Sequence, residues 1–193
     1  MHPLWHHAAV KLDGENFPAL CADLDEAVRE LTSAVERDAS LWTRGRPGKW
    51  SAGQQIAHVG VMVTRMVEAF EAVEPALRAR TLPMVPRRGL LQTMFMKVVV
   101  EHGFMPSGAR AGAASLPPDR PELAVTLAAL RRDAGRLRSL GERLGAAERD
   151  QLWIWNPDFV TTWAYRLPEA VRIHAVHARH HARSIAAVGA GHA

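Results

Sequence analysis

The chain has 193 residues, of which 48% are hydrophobic and 23% are charged, and this balance excludes a largely disordered protein. Its length fits one domain with a sizeable core. The net charge is +4, but the arginines are spread along the chain without interleaved aromatic residues, so we do not expect it to bind nucleic acid.

The first predicted element is a helix that follows an N-terminal extension of residues 1–15. Residues 1–7 lack the cationic start and apolar stretch of a secretory signal, so we expect a cytoplasmic protein. From about Phe17 to Asp38, apolar residues recur every three or four positions, which predicts an amphipathic helix. No apolar run in the chain reaches the ~20 residues of a membrane-spanning helix, so no membrane partner is expected.

Two further helices are predicted in the centre of the chain. Ser51 and Gln54 have the spacing of an N-terminal capping box, and the apolar pattern that follows them continues to about Arg80. A shorter apolar helix is predicted from Leu90 to about residue 102. Residues 103–120 are rich in Gly, Pro, Ala and Ser, and a loop of that length in a compact domain is typical of a segment that covers a site.

Two more helices are predicted in the C-terminal half. Residues 121–145 and 168–189 both begin with Pro-Glu, which suits the first turn of a helix, and both then show helical periodicity. Residues 146–167 show neither period and are predicted to form a long ordered connection; no strand pattern of useful length is visible. We therefore predict an all-α fold over residues 16–190, a four-helix bundle with long crossover loops and one additional short helix.

The last predicted helix carries four of the ten histidines in the chain. His177 and His181 are one turn apart on the same face, where both can reach one metal ion. His174 lies on that face one turn earlier, where it can either support those ligands or substitute for one of them. His180 points about 100° away from His181 and cannot serve the same ion.

A third metal ligand must come from another part of the chain. Cys21 is the single cysteine, so thiolate clusters and intramolecular disulfides are excluded, and imidazole or carboxylate donors remain. His58 is the natural candidate, because a histidine among the apolar residues of the second helix needs a partner. Considered alone, His58 fits either a ligand or a hydrogen-bonded core residue. The other histidines are interpreted as having no role in such a site: His2, His6, His7, His102, His180 and His192.

Five segments occur along the chain in an informative order: residues 48–51 (G-K-W-S), His58, residues 105–111, residues 156–159 (N-P-x-F) and residues 177–185, which contain H-x-x-x-H. In this order they resemble the DinB/YfiT-like superfamily, and the resemblance covers roughly residues 20–185. In that family a K-W-S segment introduces the helix that bears the first histidine, and a late H-x-x-x-H supplies the other two. Val160 and residues 163–167 depart from the family's pattern, and we expect these departures to affect the substrate pocket.

The resemblance implies a helical-bundle metalloprotein whose ligands to one divalent ion are His58, His177 and His181. His174 and Asn156 are then candidates for residues that contact and orient those ligands without binding the ion themselves. Neutral imidazoles suit Zn²⁺, Ni²⁺ or Fe²⁺, and three of them leave a coordination position open for a small-molecule substrate or water. A homodimer is also implied by the resemblance.

Three functions are open for such a centre. Some relatives are thiol-dependent transferases or isomerases that use low-molecular-weight thiols such as bacillithiol or mycothiol, and a divalent ion favours the thiolate. If the open position takes water, the protein is a hydrolase. The last-helix motif lacks the glutamate of H-E-x-x-H, which favours the transferase, and the absence of any E-x-x-H disfavours a di-iron bundle. The third alternative is a metal-binding, stress-associated protein without turnover.

Overall fold

The chain folds around four long helices in a computed structural model that describes residues 10–106, 108, 111–158 and 160–190. In chain order the helices are α1 (Phe17–Arg37), α2 (Ala52–Arg78), α3 (Leu90–Phe95), α4 (Leu123–Glu142), α5 (Ala146–Gln151) and α6 (Leu167–Gly189). Two strands, β1 (Trp153–Trp155) and β2 (Ala164–Arg166), pair antiparallel. α1 packs mainly on α6 and α2 mainly on α4, and contacts between α2 and α6 and between α1 and α4 close the bundle. The predicted all-α four-helix bundle is confirmed.

Local signals in the sequence set the starts of α2 and α6. Ser51 Oγ accepts from the Gln54 N–H at 3.2 Å, and Gln54 Oε1 accepts from the Ser51 N–H at 3.0 Å, so the predicted capping box forms. At the start of α6, Glu169 Oε2 accepts from the Arg166 N–H at 2.9 Å. These contacts satisfy backbone groups that the first turn of a helix leaves unpaired.

The connections between the long helices hold more regular structure than the sequence predicts. The predicted third helix is α-helical over Leu90–Phe95 and continues as a π-helix over Met96–Glu101. Residues 146–167, predicted as a connection without helix or strand, contain α5 and the β1–β2 hairpin. That part of the prediction was wrong because each strand has only three residues, too few for an alternating pattern. Gln92 on α3 donates to the Ala164 carbonyl at 2.6 Å and ties the hairpin to α3.

The hydrophobic core lies between the four long helices. Phe17, Phe70, Leu137 and Ile185 are almost completely buried there. α1 and α4 approach closely at Gly141, where an added Cβ would lie 2.1 Å from the Cζ atom of Phe17. A larger residue at this position would force the two helices apart, because a packed ring has no room to move.

The first residue that the structure describes is Val10, and the last is Ala190. Gly14 donates its N–H to Asp150 Oδ1 at 2.9 Å and accepts from Arg149 Nη1 at 2.9 Å. The division between an extension of residues 1–15 and a domain of residues 16–190 stays a prediction. Four histidines lie outside the described residues: His2, His6, His7 and His192. In the described part of the chain, no helix combines the length and the apolar character needed to cross a membrane.

Candidate metal centre

Three histidine side chains from two helices meet inside the bundle. His58 on α2 and His177 and His181 on α6 each offer one ring nitrogen, and these nitrogens all lie within 4.8 Å of one another. The Nε2 atoms of His177 and His181 are 3.1 Å apart. Two nitrogens bound at about 2.0–2.1 Å to one tetrahedral ion are about 3.3 Å apart, so the arrangement fits a single divalent cation. That these residues bind a metal stays a prediction.

Hydrogen bonds fix the tautomers of two of the three rings. His58 Nδ1 donates to the Ser115 carbonyl oxygen at 2.6 Å, because a carbonyl can only accept. Gln55 Nε2 donates to the Trp50 carbonyl at 3.3 Å, which leaves Gln55 Oε1 to accept from His181 Nδ1 at 3.1 Å. In both rings Nε2 is therefore the unprotonated nitrogen, as a metal ligand requires.

Burial keeps these imidazoles neutral. Burial is the largest cause of a lowered pKa at each of the three rings. The pKa of His58 is lowered, that of His177 lies well below the ordinary 6.5, and that of His181 is about 3. Repulsion from neighbouring histidines contributes to the lowered pKa of His177 and of His181, whereas the hydrogen bond to Ser115 partly opposes the effect at His58. Protons and metal ions compete for the same lone pairs, so neutral rings are ready to bind a cation at neutral pH.

The three rings open onto a cavity of about 280 Å³ that lies between α2, α6, the hairpin and the loop that follows the π-helix. The Trp50 ring contacts the His58 ring there, with centroids 4.8 Å apart. The large apolar side chains of the wall are Trp50, Met62, Met66, Phe95, Met105 and Ile173. Ser115, the last residue of a 3-10 turn over Ala113–Ser115, both lines this cavity and orients His58.

The other predicted site residues lie around this cavity and outside the three-nitrogen group. His174 is fully buried, and neither of its ring nitrogens has a hydrogen-bond partner among the described residues. Asn156 lines the cavity, accepts from the Asp158 N–H at 3.0 Å and is hydrogen-bonded to the Tyr165 hydroxyl. His180 is half-buried and bonds to the backbone of Met105. The residues that orient His58 and His181 are instead Ser115 and Gln55, and the sequence did not indicate either of them.

The sequence also did not indicate the role of Asp158, the variable position of N-P-x-F. Its buried carboxylate accepts from Arg65 Nε at 2.5 Å, and Arg65 Nη2 donates to the Pro157 carbonyl at 2.9 Å. Burial raises the pKa of Asp158, while Arg65 opposes the rise. The pair fixes the Asn-Pro turn against α2.

Four residues of the motif segments lie outside the described part of the chain: Ser107, Ala109, Arg110 and Phe159.

Replacement of Gln55 by leucine is expected to weaken metal binding by about 10–100-fold, because His181 then loses the acceptor that fixes its tautomer. A titration against a chromophoric chelator, with Zn²⁺ as the metal, measures this. Gln151→Leu is the matched control, since Gln151 is exposed at the end of α5. An unchanged affinity in Gln55→Leu would show that this hydrogen bond does not support the centre.

The comparison with protein families gives one match. A family model described as the DinB superfamily matches residues 15–185, which is most of the chain. No curated protein and no solved structure gave a match to the sequence. The matched range contains His58, His177 and His181 together with the cavity that they border.

Proposed function

The chain belongs to the DinB superfamily, and from this premise we propose that it is a metal-dependent transferase that activates a low-molecular-weight thiol. The observation that carries the proposal is the convergence of three imidazoles, from the buried His58 and His177 and the half-buried His181, beside a cavity. Three imidazoles suit Zn²⁺, Ni²⁺ or Fe²⁺ and leave one coordination position for a substrate atom.

The composition of the cavity wall favours thiol transfer over hydrolysis. A divalent ion at this position favours the deprotonated form of a thiol, so no protein base is needed. Many metal-dependent hydrolases pair the ion with a carboxylate that acts as general base, as the glutamate of H-E-x-x-H does. No Asp or Glu is among the described residues that line the cavity, and the Asp158 carboxylate is bound to Arg65. In the transfer, the thiol releases its proton to solvent, the new S–C bond forms, and the leaving group departs with its bonding electrons.

The test combines metal loading with two substrate panels. Untagged protein is loaded separately with Zn²⁺, Ni²⁺ or Fe²⁺ and assayed with several thiols and chlorodinitrobenzene, and in parallel with nitrophenyl esters and anilides without thiol. We expect thioether formation and chloride release that require both metal and thiol. The rate should fall at least about 100-fold in His58→Ala, because the ion loses one of three ligands. It should persist in His102→Ala, since His102 is exposed.

Two results would overturn the transferase. Metal-dependent cleavage of an ester or anilide without thiol would indicate a hydrolase. Absence of turnover in every combination, with the metal demonstrably bound, would indicate a metal-binding protein without catalytic activity.

A further inference from the structure

The cavity beside the three-histidine centre has a wall that fits an apolar compound. Met62 and Met66 on α2, Phe95 on α3, Met105 in the following loop and Ile173 on α6 all line it. Methionine side chains adapt their shape and make favourable contacts with aromatic rings. A ring or short hydrocarbon chain placed here would leave water and be packed from several sides, which is the main source of affinity in small-molecule sites.

In the described part of the wall, no residue offers a counter-ion to a charged compound. The described residues that line the cavity include no Lys, Arg, Asp or Glu. A carboxylate or ammonium group that enters such a wall loses its hydration without gaining an ion pair. The described wall therefore selects against charge at every position except the one beside the metal centre.

His174 is one of the polar residues that line the cavity outside the three-histidine group. Its side chain is fully buried, it lines the cavity, and neither Nδ1 nor Nε2 has a partner in the described part of the chain. A neutral imidazole carries one N–H donor and one acceptor, and leaving both unpaired in the interior costs free energy. His174 also lies outside the group of nitrogens that fits one ion. Its hydrogen-bonding groups are thus available to a molecule in the cavity.

From these observations, and resting on the proposed function, we infer that the site takes an uncharged, largely apolar substrate whose polar group is hydrogen-bonded by His174. The cavity volume of about 280 Å³ lies near the lower end of small-molecule sites, which suits a compound with a single ring. His174 is then a specificity-determining residue, and the apolar wall determines the substrate class.

Three compounds with the same ring test the inference: benzyl alcohol, toluene and benzoate. Each is titrated into protein freed of metal with a chelator, so that the carboxylate of benzoate has no ion to bind, and binding is followed by the amide chemical shifts of residues around the cavity. We expect benzoate to bind at least about tenfold more weakly than benzyl alcohol. His174→Phe should weaken benzyl alcohol by about tenfold and change toluene by less than about twofold, because only the alcohol loses a hydrogen bond. His174→Gln, which keeps a donor and an acceptor, should retain benzyl alcohol within about threefold.

The inference is overturned if benzoate binds as tightly as the alcohol, if none of the three compounds binds at the cavity, or if His174→Phe weakens toluene and benzyl alcohol equally. Should His174→Phe fail to fold, the order of the three compounds on the unaltered protein and on His174→Gln still decides. Metal content is measured on the same samples. Failure of the metal centre or of the thiol assay is therefore a separate result from failure of this selectivity.

Discussion

Replacement of His177 by alanine is expected to lower the affinity of the chain for Zn²⁺ by about 10²–10³-fold. Structural zinc sites with four ligands bind with about 10–16 kcal/mol, so each ligand contributes about 2.5–4 kcal/mol. His177 Nε2 lies 3.1 Å from His181 Nε2, and the His177 ring also packs edge-on against His58 at 5.1 Å between centroids. Removal of His177 leaves two imidazoles, which rarely hold an ion alone.

The measurement is the metal content of untagged protein by elemental analysis, followed by competition with a chelator. His58→Ala and His181→Ala should show losses similar to that of His177→Ala, because all three nitrogens converge on one point. His102→Ala is the control, since this histidine is exposed and lies outside the group. Wild-type affinity in all three ligand variants would mean that His58, His177 and His181 serve packing only.

The helices could be predicted from sequence because their signals are local. The capping box of Ser51 and Gln54 and the Pro-Glu start of α6 act within one turn, so the sequence alone places these helix starts. The β1–β2 hairpin could not be found this way. It is held by backbone pairing and by contacts from distant segments, such as the bond from Gln92 to the Ala164 carbonyl.

The residues of the candidate site also differ in whether a local sequence pattern predicts them. His177 and His181 stand out because four residues make one helical turn, and His58 follows a distinctive K-W-S segment. Ser115 has no such signal, because it contacts His58 with its backbone carbonyl, from a position 57 residues away. Gln55 lies three residues before His58, but its role depends on how α2 packs against α6. The hydrogen bonds that orient the imidazoles are therefore a property of the tertiary structure.

Replacement of Asp133 by alanine is expected to lower the free energy of unfolding by about 3 kcal/mol. The Asp133 side chain on α4 is fully buried, and it accepts from Thr64 Oγ1 on α2 at 2.6 Å and from Arg136 Nη1 at 3.0 Å. Arg136 also binds Glu71 on α2 at 2.5 Å, so the network joins the two helices. Because Arg136 is partly exposed and can be hydrated, the loss should stay at the lower end of the range for buried ion pairs.

Urea unfolding at pH 7 measures this loss. Asp119→Ala is the control, because Asp119 is exposed and its replacement should change the free energy of unfolding by less than about 0.5 kcal/mol. An Asp133→Ala variant as stable as the wild type would show that the network between α2 and α4 contributes nothing.

The same carboxylate should give the stability a distinct acid dependence. Burial raises the pKa of Asp133, but hydrogen bonds from Arg132, Thr64 and Arg136 outweigh it and lower the pKa from 3.8 to about 2. A pKa that is lower in the folded chain stabilises the protein above the unfolded value of 3.8, and this contribution of about 2 kcal/mol is lost as the pH falls towards 2. Asp133→Asn lacks the titrating group, so the stability difference between wild type and variant should shrink between pH 5 and pH 2. A difference that stays constant over this range would show that the carboxylate is not held in its charged form by these three partners.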